Sequence, residues 1–533
     1  MIDKEIDVEI SKLSHLVDIG EFQSAFERAL QLLEEIKKLS TGEASRYLLL
    51  FNISGIFIDV GSMQPNPDST EIGFKIMQSH AEKFISLIGE SDYYYNLSNA
   101  KSDLITEKNP FKQTFYSIEE LVKLKSFLWK AIKATNRDKA VVPPEYIVNL
   151  GNSLRQQFRI VEALRYYDQV IRENLDIPQA WVNRSETLIM LNIISNTYSI
   201  QMLEQIKKGY ENAIKSKKIL PQLVGDYQEQ IKLFAEKIKD ICNENEIAKD
   251  EHDENLTKKE YEEFGNFRKF CLQNYLTLSE HALYCPCIGS ARDNLTIPTE
   301  SGVVGDFIIP MEMILNRLKS EFSFARRLYY EYLNCEENNE LQHESCFSQL
   351  FNDEVLGVNV EKLRTAFRLC FGILDKIGVA ICELYDVYPS SDKKAYFQNL
   401  WQLDKKNRRN KFEALKNPGL LALYSIASDL NEHKNGEWKD YKEWRNNLEH
   451  QFLVVHRSEN RSDIYDSYKF IEGIVFIKEV DFIQHLEQML QLTRSAIFSF
   501  VFSVREKGLQ ERNKQNDDKY FTNTIFWQDY KFE

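Results

Sequence analysis

Glycine and proline are scarce in this sequence, which has 20 glycines and 12 prolines among 533 residues. A sandwich or barrel of this length needs a turn after each short strand, and these two residues supply many turns. Their scarcity therefore favours an all-α fold. Apolar residues still make up 43% of the chain, so it can build sizeable cores. At about 100–200 residues per domain, we expect more than one domain.

An excess of positive charge is also missing. The chain has 67 Lys and Arg against 81 Asp and Glu, which gives a formal net charge of −14. Proteins that coat nucleic acid are usually basic, because contacts to phosphate supply most of their non-specific affinity. Any contact with RNA should therefore be local and brief, as in an enzyme that cuts its substrate and releases it.

Long apolar runs are absent as well. No stretch reaches about 18 uninterrupted apolar residues, which a membrane-spanning helix needs. The first residues, Met-Ile-Asp-Lys-Glu-Ile-Asp, are acidic and lack the apolar segment of a signal peptide. We therefore expect a soluble, cytoplasmic protein that does not bind membranes.

The eight cysteines follow no disulfide or zinc pattern. Their spacing is irregular and the chain is large, unlike a secreted disulfide scaffold. The closest pair is Cys285-Pro-Cys287. A zinc site there would need a second pair of cysteines or histidines at ligand spacing, and none follows. Free thiols are the expected state, and we expect neither a metal nor a cofactor.

Residues 144–177 carry a pattern of two helices with a period of 34. Gly151 stands where the first helix needs a small residue for close approach, and Ala163 and Tyr167 stand where the second helix packs back. The pattern resembles a tetratricopeptide repeat, and the next, partial unit has Ser185 at its small position. We therefore expect residues 1–245 to form a degenerate helical solenoid that binds a protein or peptide partner. An ordinary helical bundle is the alternative.

A charged stretch, residues 246–262, is predicted to be a linker or the exposed end of a helix, and we place the domain boundary there. The part that follows, residues 263–533, is expected to form a helical bundle. Apolar residues at steps of three and four predict its helices: residues 314–333, 360–385, 416–430, 438–455 and 480–506. Two apolar runs, 453–457 and 473–477, flank a polar loop and could be a short β excursion.

The segment Arg-Asn-Asn-Leu-Glu-His, residues 445–450, carries the candidate chemistry. On a helical wheel its apolar neighbours form one stripe: Trp444, Leu448 and Phe452. Asn446 and His450 fall on the opposite side, with Arg445 at the edge. His450 should therefore be exposed or face a second helical bundle, and a symmetric dimer would bring two such faces together.

These residue types suit RNA cleavage. The 2′-hydroxyl of RNA is a nucleophile within the substrate, so the enzyme needs only proton transfer and a counter-charge. A histidine side chain can transfer the proton near neutral pH. A guanidinium matches phosphate oxygens in pairs and stabilises developing negative charge. An asparagine can orient the histidine or donate to phosphate.

Arg-Asn-x-x-x-His resembles the signature of the HEPN superfamily (higher eukaryotes and prokaryotes nucleotide-binding). Further segments across residues 262–510 are similar, in order, to the HEPN branch that carries N-terminal tetratricopeptide repeats. The resemblance implies a metal-independent endoribonuclease whose composite site, Arg445, Asn446 and His450, lies at the interface of a homodimer formed by the C-terminal domain. It also implies a bacterial toxin or phage-defence effector. The stretch 277–281 departs from the usual pattern of that branch.

Two further groups of charged residues are candidates for a role at the site. Glu321 and Arg326 are possible helpers in catalysis, although a charged residue on a core-packed helix is more often part of a structural ion pair. A basic run shortly before the motif could guide an RNA backbone, or be a solvated loop: Lys405, Lys406, Arg408 and Arg409.

Two other functions stay open. The C-terminal domain could bind RNA or a nucleotide without cutting it. Alternatively, the whole chain could be a tetratricopeptide scaffold with a structural C-terminal bundle, in which His450 would be incidental.

Overall fold

The computed structural model describes residues 2–39, 42–64, 66–105, 107–173, 176–197, 199–244, 254–299, 303–335, 344–348, 353–458 and 474–513. Within these ranges the chain is helical almost throughout, so the predicted all-α fold is confirmed. None of the described helices combines the length and the apolar character needed to cross a bilayer. The chain divides into two compact units, Met1–Gln157 and Phe158–Glu533.

The first unit is built from helices that pack mostly on their neighbours in sequence. They are α1 (Ile2–Asp18), α2 (Phe22–Lys37), α3 (Glu43–Met63), α4 (Pro67–Ser79), α5 (Ala81–Ile88), α6 (Glu90–Leu104), α7 (Phe115–Arg137) and α8 (Pro144–Gln156). Helix α3 lies at the centre, because it packs against α1, α2 and α4. Its side chains Ile53 and Phe57 are fully buried.

The second unit contains the remaining helices and two short strands. The helices are α9 (Ile160–Glu173), α10 (Pro178–Ser195), α11 (Ile200–Lys215), α12 (Val224–Glu244), α13 (Glu254–Glu263), α14 (Asn266–Gln273), α15 (Ile308–Leu333), α16 (Val358–Tyr385), α17 (Lys406–Ala414), α18 (Pro418–Asp429), α19 (Asp440–His450) and α20 (Glu479–Arg512). The strands are β1 (Phe452–His456) and β2 (Ile474–Lys478). They pair in parallel, with Phe452 opposite Ile474.

Helix α20 forms the core of the second unit. Every residue from Met489 to Arg505 is buried, and the helix packs against α15, α16 and α18. A Cβ atom at Gly419 would lie 2.5 Å from Ser499 O, so α18 can approach α20 this closely only with glycine there. The helix is therefore surrounded on all sides, as its apolar sequence requires.

Two buried arginines of α20 fix a long loop, residues 274–299, to this core. Arg494 Nε donates to Thr277 O at 2.8 Å, and Arg505 Nε donates to Ile297 O at 3.1 Å. Buried guanidinium groups need such partners, because an unmet hydrogen bond in the interior is costly. The loop is thereby held against α20 at both ends.

The predicted helices are present in the expected order, but one of them ends early. The predicted helix 438–455 stops at His450, and Phe452 begins β1 instead of extending the apolar stripe; its side chain is 59% exposed. Phenylalanine and valine favour extended backbone, so the run Phe-Leu-Val-Val ends the helix and forms the strand. The suggested short β excursion is confirmed, and the structure adds that its two strands pair in parallel.

Helices α10, α11 and α12 pack in sequence, which is compatible with a helical repeat. Ser185 lies at the contact of α10 with α11, where its hydroxyl donates to Ile206 O at 3.0 Å. The assignment of these helices to tetratricopeptide repeats stays a prediction. So do the domain bounds 1–245 and 263–533: of the predicted linker 246–262, residues 246–253 lie outside the described part of the chain, and Glu254–Glu263 form α13.

Candidate active site

Helix α19 carries the motif and buries one face against α16 and β1. Tyr441 and Asn447 are buried, and Trp444 and Leu448 are half-buried. Asn446 and His450 are exposed, on the side that the helical wheel predicts. The motif helix therefore presents its amide and imidazole side chains to solvent in the single chain.

Arg445 lies at the edge of this face and contacts two oxygen atoms. Its Nη1 donates to Asn446 Oδ1 at 3.2 Å, and its Nη2 lies 3.7 Å from Asp375 Oδ2 on α16. Burial raises the pKa of Asp375, although the backbone N–H of Phe397 and the charge of Arg445 oppose the shift. The guanidinium is thus placed beside the amide while about a third of it stays exposed.

His450 makes no hydrogen bond and no ion pair with any residue in the described ranges. An exposed imidazole with no partner among the described residues can exchange protons with solvent or with a bound substrate. Arg445 and Asn446 are therefore in contact with each other, whereas His450 stands one helical turn beyond Asn446.

Glu321, one of the two suggested helpers, lies near the neighbours of Arg445. Its carboxylate accepts a hydrogen bond from Lys376 Nζ at 3.0 Å and another from Arg317 Nε at 2.7 Å. Lys376 directly follows Asp375 on α16. Glu321 therefore pairs with the residue that follows Asp375, and Asp375 is the carboxylate beside Arg445.

Arg326, the other suggested helper, lies in the protein core. It is 1% exposed, and it donates to Leu276 O and to both carboxylate oxygens of Asp293. These contacts tie α15 to the loop 274–299. Arg326 therefore forms a structural ion pair with Asp293, which is the alternative stated above for this arginine.

The basic run before the motif divides into two pairs. Arg408 donates to Tyr388 O and Val387 O, both at 2.8 Å, and Arg409 Nε donates to Leu403 O at 3.1 Å. Lys405 and Lys406 are exposed at the start of α17. Only the two lysines therefore keep their charges entirely at the surface.

A cavity of about 380 Å³ lies beside the half-buried face of α19. Its described walls come from α19, β1, β2 and α20: Trp444, His456, Ser458, Phe476, Ile477, Lys478, Asp481 and His485. The ring of His485 meets Trp444 edge-on at 4.6 Å, and its Nδ1 lies 2.9 Å from Tyr441 Oη. Two imidazoles, an ammonium group and a carboxylate therefore line the same cavity.

Local sequence patterns do not predict this cavity. The helical wheel assigns Trp444 to an apolar stripe, and His456 and His485 belong to no motif. No spacing links positions 444, 456 and 485, because the parallel pairing of β1 with β2 and the return of α20 bring them together. Asp375 was missed for the same reason, since its partner Arg445 lies 70 positions further on.

The helical bundle around α20 includes the part of the chain that a family model matches. Residues 305–507 match the family model described as LA2681-like HEPN, so this part of the chain is a HEPN domain. The HEPN family generally includes ribonucleases, and its domains often bind RNA and dimerise. A search of curated proteins finds no match to the chain.

Proposed function

We propose that the chain is an endoribonuclease that cleaves RNA without a metal, through Arg445, Asn446 and His450. The observation that carries the proposal is the placement of Asn446 and His450 on the exposed face of α19, with Arg445 at its edge. The solvent side of a helix is usually polar, so the proposal rests on the combination of a guanidinium, an amide and an imidazole, which suits phosphate binding and proton transfer. The match of residues 305–507 to a HEPN family adds to this argument.

In the proposed reaction, the 2′-hydroxyl oxygen attacks the adjacent phosphorus while an imidazole removes its proton. The bond from phosphorus to the 5′ oxygen then breaks, and a second imidazole returns a proton to that leaving oxygen. The products are a 2′,3′-cyclic phosphate and a free 5′-hydroxyl. Arg445 binds the phosphate oxygens as negative charge develops on them, and Asn446 fixes the guanidinium.

This reaction uses one histidine as base and another as acid. We propose that a second copy of the chain supplies the other His450, because the motif face is exposed in the single chain and a two-fold axis pairs identical surfaces. Lys405 and Lys406 are the proposed contacts to the RNA backbone. Glu321 is a proposed positioning residue, since it acts through Lys376 and not on the substrate.

A nucleotide-binding module without cleavage is the second candidate, and the cavity beside α19 favours it. Its volume of about 380 Å³ lies within the usual range for small-ligand sites. Trp444 offers an aromatic ring on which a base can stack, and Lys478 offers a charge for phosphate. The two candidates differ in whether RNA is cut, and the test below separates them.

We further propose a regulated toxin or phage-defence effector. The acidic charge of the chain fits an enzyme that releases its products, and the helical region before the HEPN domain would bind a protein partner that controls the nuclease. An RNA-cleaving enzyme harms its own cell unless it is held inactive, which is the physical reason to expect such control.

The first test is expression in bacterial cells of the wild type, His450→Ala and His433→Ala. His433 is an exposed histidine on a 3-10 turn, Glu432–Lys434, and serves as the matched control. We expect growth arrest and fragmented total RNA with the wild type and His433→Ala, and normal RNA with His450→Ala. Equal fragmentation by all three proteins would contradict the site. Intact RNA in all three, with a nucleotide bound by the purified chain, would favour the second candidate.

A further inference from the structure

Three side chains with metal-binding atoms meet in the loop 274–299 of the second unit. A ring nitrogen of His281 and the sulfurs of Cys285 and Cys287 all lie within 4.8 Å of one another. All eight cysteines of the chain are thiols, so no disulfide accounts for the closeness of this pair. Cys285 is buried, and His281 and Cys287 are half-buried.

Two tight turns bring these atoms together. Residues His281–Leu283 form a 3-10 turn, and Cys285 N donates to His281 O at 2.9 Å, which places His281 and Cys285 on one side of the turn. A second 3-10 turn, Ile288–Arg292, follows Cys287, where Ser290 N donates to Cys287 O at 2.9 Å. The backbone therefore fixes the cluster through its own hydrogen bonds.

The side chains of Cys285 and Cys287 are also in hydrogen-bond contact with each other. A metal ion between them would bind both sulfurs as thiolates, which is the form that binds metals. The ring nitrogen of His281 lies close enough to both sulfurs to bind the same ion.

Neighbouring groups would support the ligands. Tyr284 Oη lies 3.1 Å from His281 Nδ1, and this contact leaves Nε2 as the ring nitrogen for a metal. Histidine ligands commonly bond a polar group through their second nitrogen. The carboxylate of Glu260 on α13 accepts from Ile288 N at 2.9 Å, so a negative charge stands beside the turn that follows Cys287.

We propose that His281, Cys285 and Cys287 bind a zinc ion, with water as the fourth ligand. Two thiolates and one imidazole suit zinc, whereas magnesium and calcium prefer oxygen ligands. The site goes beyond the proposed RNA cleavage, which uses no metal. It also revises the expectation of no metal site, which rested on the lack of a second cysteine or histidine pair. The third ligand is His281, four residues before Cys285.

The position of the loop suggests what the zinc ion does. Glu280, next to His281, lies 2.6 Å from Arg505 Nη2 of the core helix α20. Asp293, six residues after Cys287, binds Arg326 of α15. A zinc ion between these two anchors would fix the loop, which contacts both α15 and α20. Because it would bind the folded state only, it would stabilise the second unit.

The test is the metal content of the full-length protein, measured by mass spectrometry of the elements after growth with added zinc. The set is the wild type, Cys287→Ser and Cys346→Ser; Cys346 is an exposed cysteine outside the cluster and serves as the control. We expect about one zinc ion per chain in the wild type and in Cys346→Ser, and less than about one tenth of that in Cys287→Ser. Equal zinc in all three proteins, or none in the wild type, would overturn the site.

A second measurement does not depend on the folding of the variant. Zinc is removed from the wild type with a chelator, and cobalt is then titrated into it. We expect a thiolate-to-cobalt charge-transfer band and the visible bands of a tetrahedral ion, and we expect added zinc to abolish both. We also expect the melting temperature to fall on chelation and to recover with zinc. Absence of the charge-transfer band would contradict thiolate ligation. If the wild type binds zinc but does not cleave RNA, the result would contradict the proposed function and leave the zinc site standing.

Discussion

Arg445 is the residue whose surroundings say most about the proposed site. Its guanidinium lies between Asn446 Oδ1 at 3.2 Å and Asp375 Oδ2 at 3.7 Å, and the Asp375 carboxylate accepts from Phe397 N at 3.0 Å. A partly buried carboxylate thus positions an arginine that stays accessible from outside. Such a guanidinium can bind a phosphate without first being ordered, which is how preorganised charge assists a reaction.

Replacing Arg445 with lysine tests this arrangement. Lysine keeps the charge but loses the planar group that matches two phosphate oxygens. We expect Arg445→Lys to lower the rate of RNA cleavage by about 100-fold with unchanged thermal stability. The control is Arg327→Lys, a half-exposed arginine that pairs with Glu331 on α15 at 2.8 Å. An equal loss in both variants, or wild-type cleavage in Arg445→Lys, would contradict the role of the guanidinium.

At this scale, the positions of the exposed site residues were easier to predict from the sequence than those of the buried ones. The wheel placed Asn446 and His450 on the solvent side, because the 3.6-residue period of a helix fixes which residues share a face. It had no means to find Asp375, which reaches Arg445 from another helix. The sequence left open whether Arg326 is a helper in catalysis or part of a structural ion pair, since arginine occurs in both.

At the scale of elements, the ion pair of Asp293 with Arg326 is one of the contacts that fix the loop 274–299. Asp293 accepts from Arg326 Nη1 at 2.9 Å and from Leu278 N at 2.7 Å. Burial opposes the charge of Asp293, but Arg326 outweighs it and holds the pKa of that carboxyl well below its usual range. A pKa lowered by folding contributes stability above the unfolded value near 4, and this stability is lost as the pH falls below it.

Asp293→Asn removes this contribution without straining the backbone. Asp293 has a φ of 48°, a conformation that asparagine also tolerates. We expect the variant to lose about 3 kcal/mol of unfolding free energy near pH 7, because Arg326 stays buried without its partner. Below about pH 4 the difference from wild type should shrink, since the carboxyl is then protonated in the unfolded state while the lowered pKa keeps it charged in the folded state.

Urea unfolding at neutral and acid pH measures this difference. The control is Asp386→Asn, an aspartate at the end of α16 with a φ of 49° and a side chain that is 88% exposed. It should change stability little at either pH. A loss in Asp293→Asn that is the same at both values of pH would contradict the ion pair as its cause.

The end of α19 shows why the bounds of elements were harder to predict than their order. Phe452 fits both the stripe of a continued helix and the start of a strand, so periodicity alone could not choose between them. The run of valines after it favours extended backbone, and the parallel partner Ile474–Lys478 supplies its hydrogen bonds. That partner lies beyond the reach of a local pattern.

At the scale of the whole molecule, composition predicted the class of fold. Scarce glycine and proline pointed to an all-α protein, and the structure is helical almost throughout its described residues. The division into compact units was less accessible. It falls after Gln157 because residues that follow it contact the far end of the chain: Arg159 pairs with Asp429, and Arg165 lies 2.8 Å from Glu487. Local composition does not predict such contacts.

The central claim is that His450 transfers a proton in the cleavage of RNA at a 2′-hydroxyl, without a metal. The most direct test uses purified wild type, His450→Ala and His433→Ala with an RNA substrate in excess chelator, and mass spectrometry of the ends of the products. We predict 2′,3′-cyclic phosphate and 5′-hydroxyl ends from the wild type and His433→Ala, and about 1,000-fold slower cleavage by His450→Ala. Products with 5′-phosphate ends, or cleavage that stops when divalent metals are removed while the protein stays folded, would contradict the account.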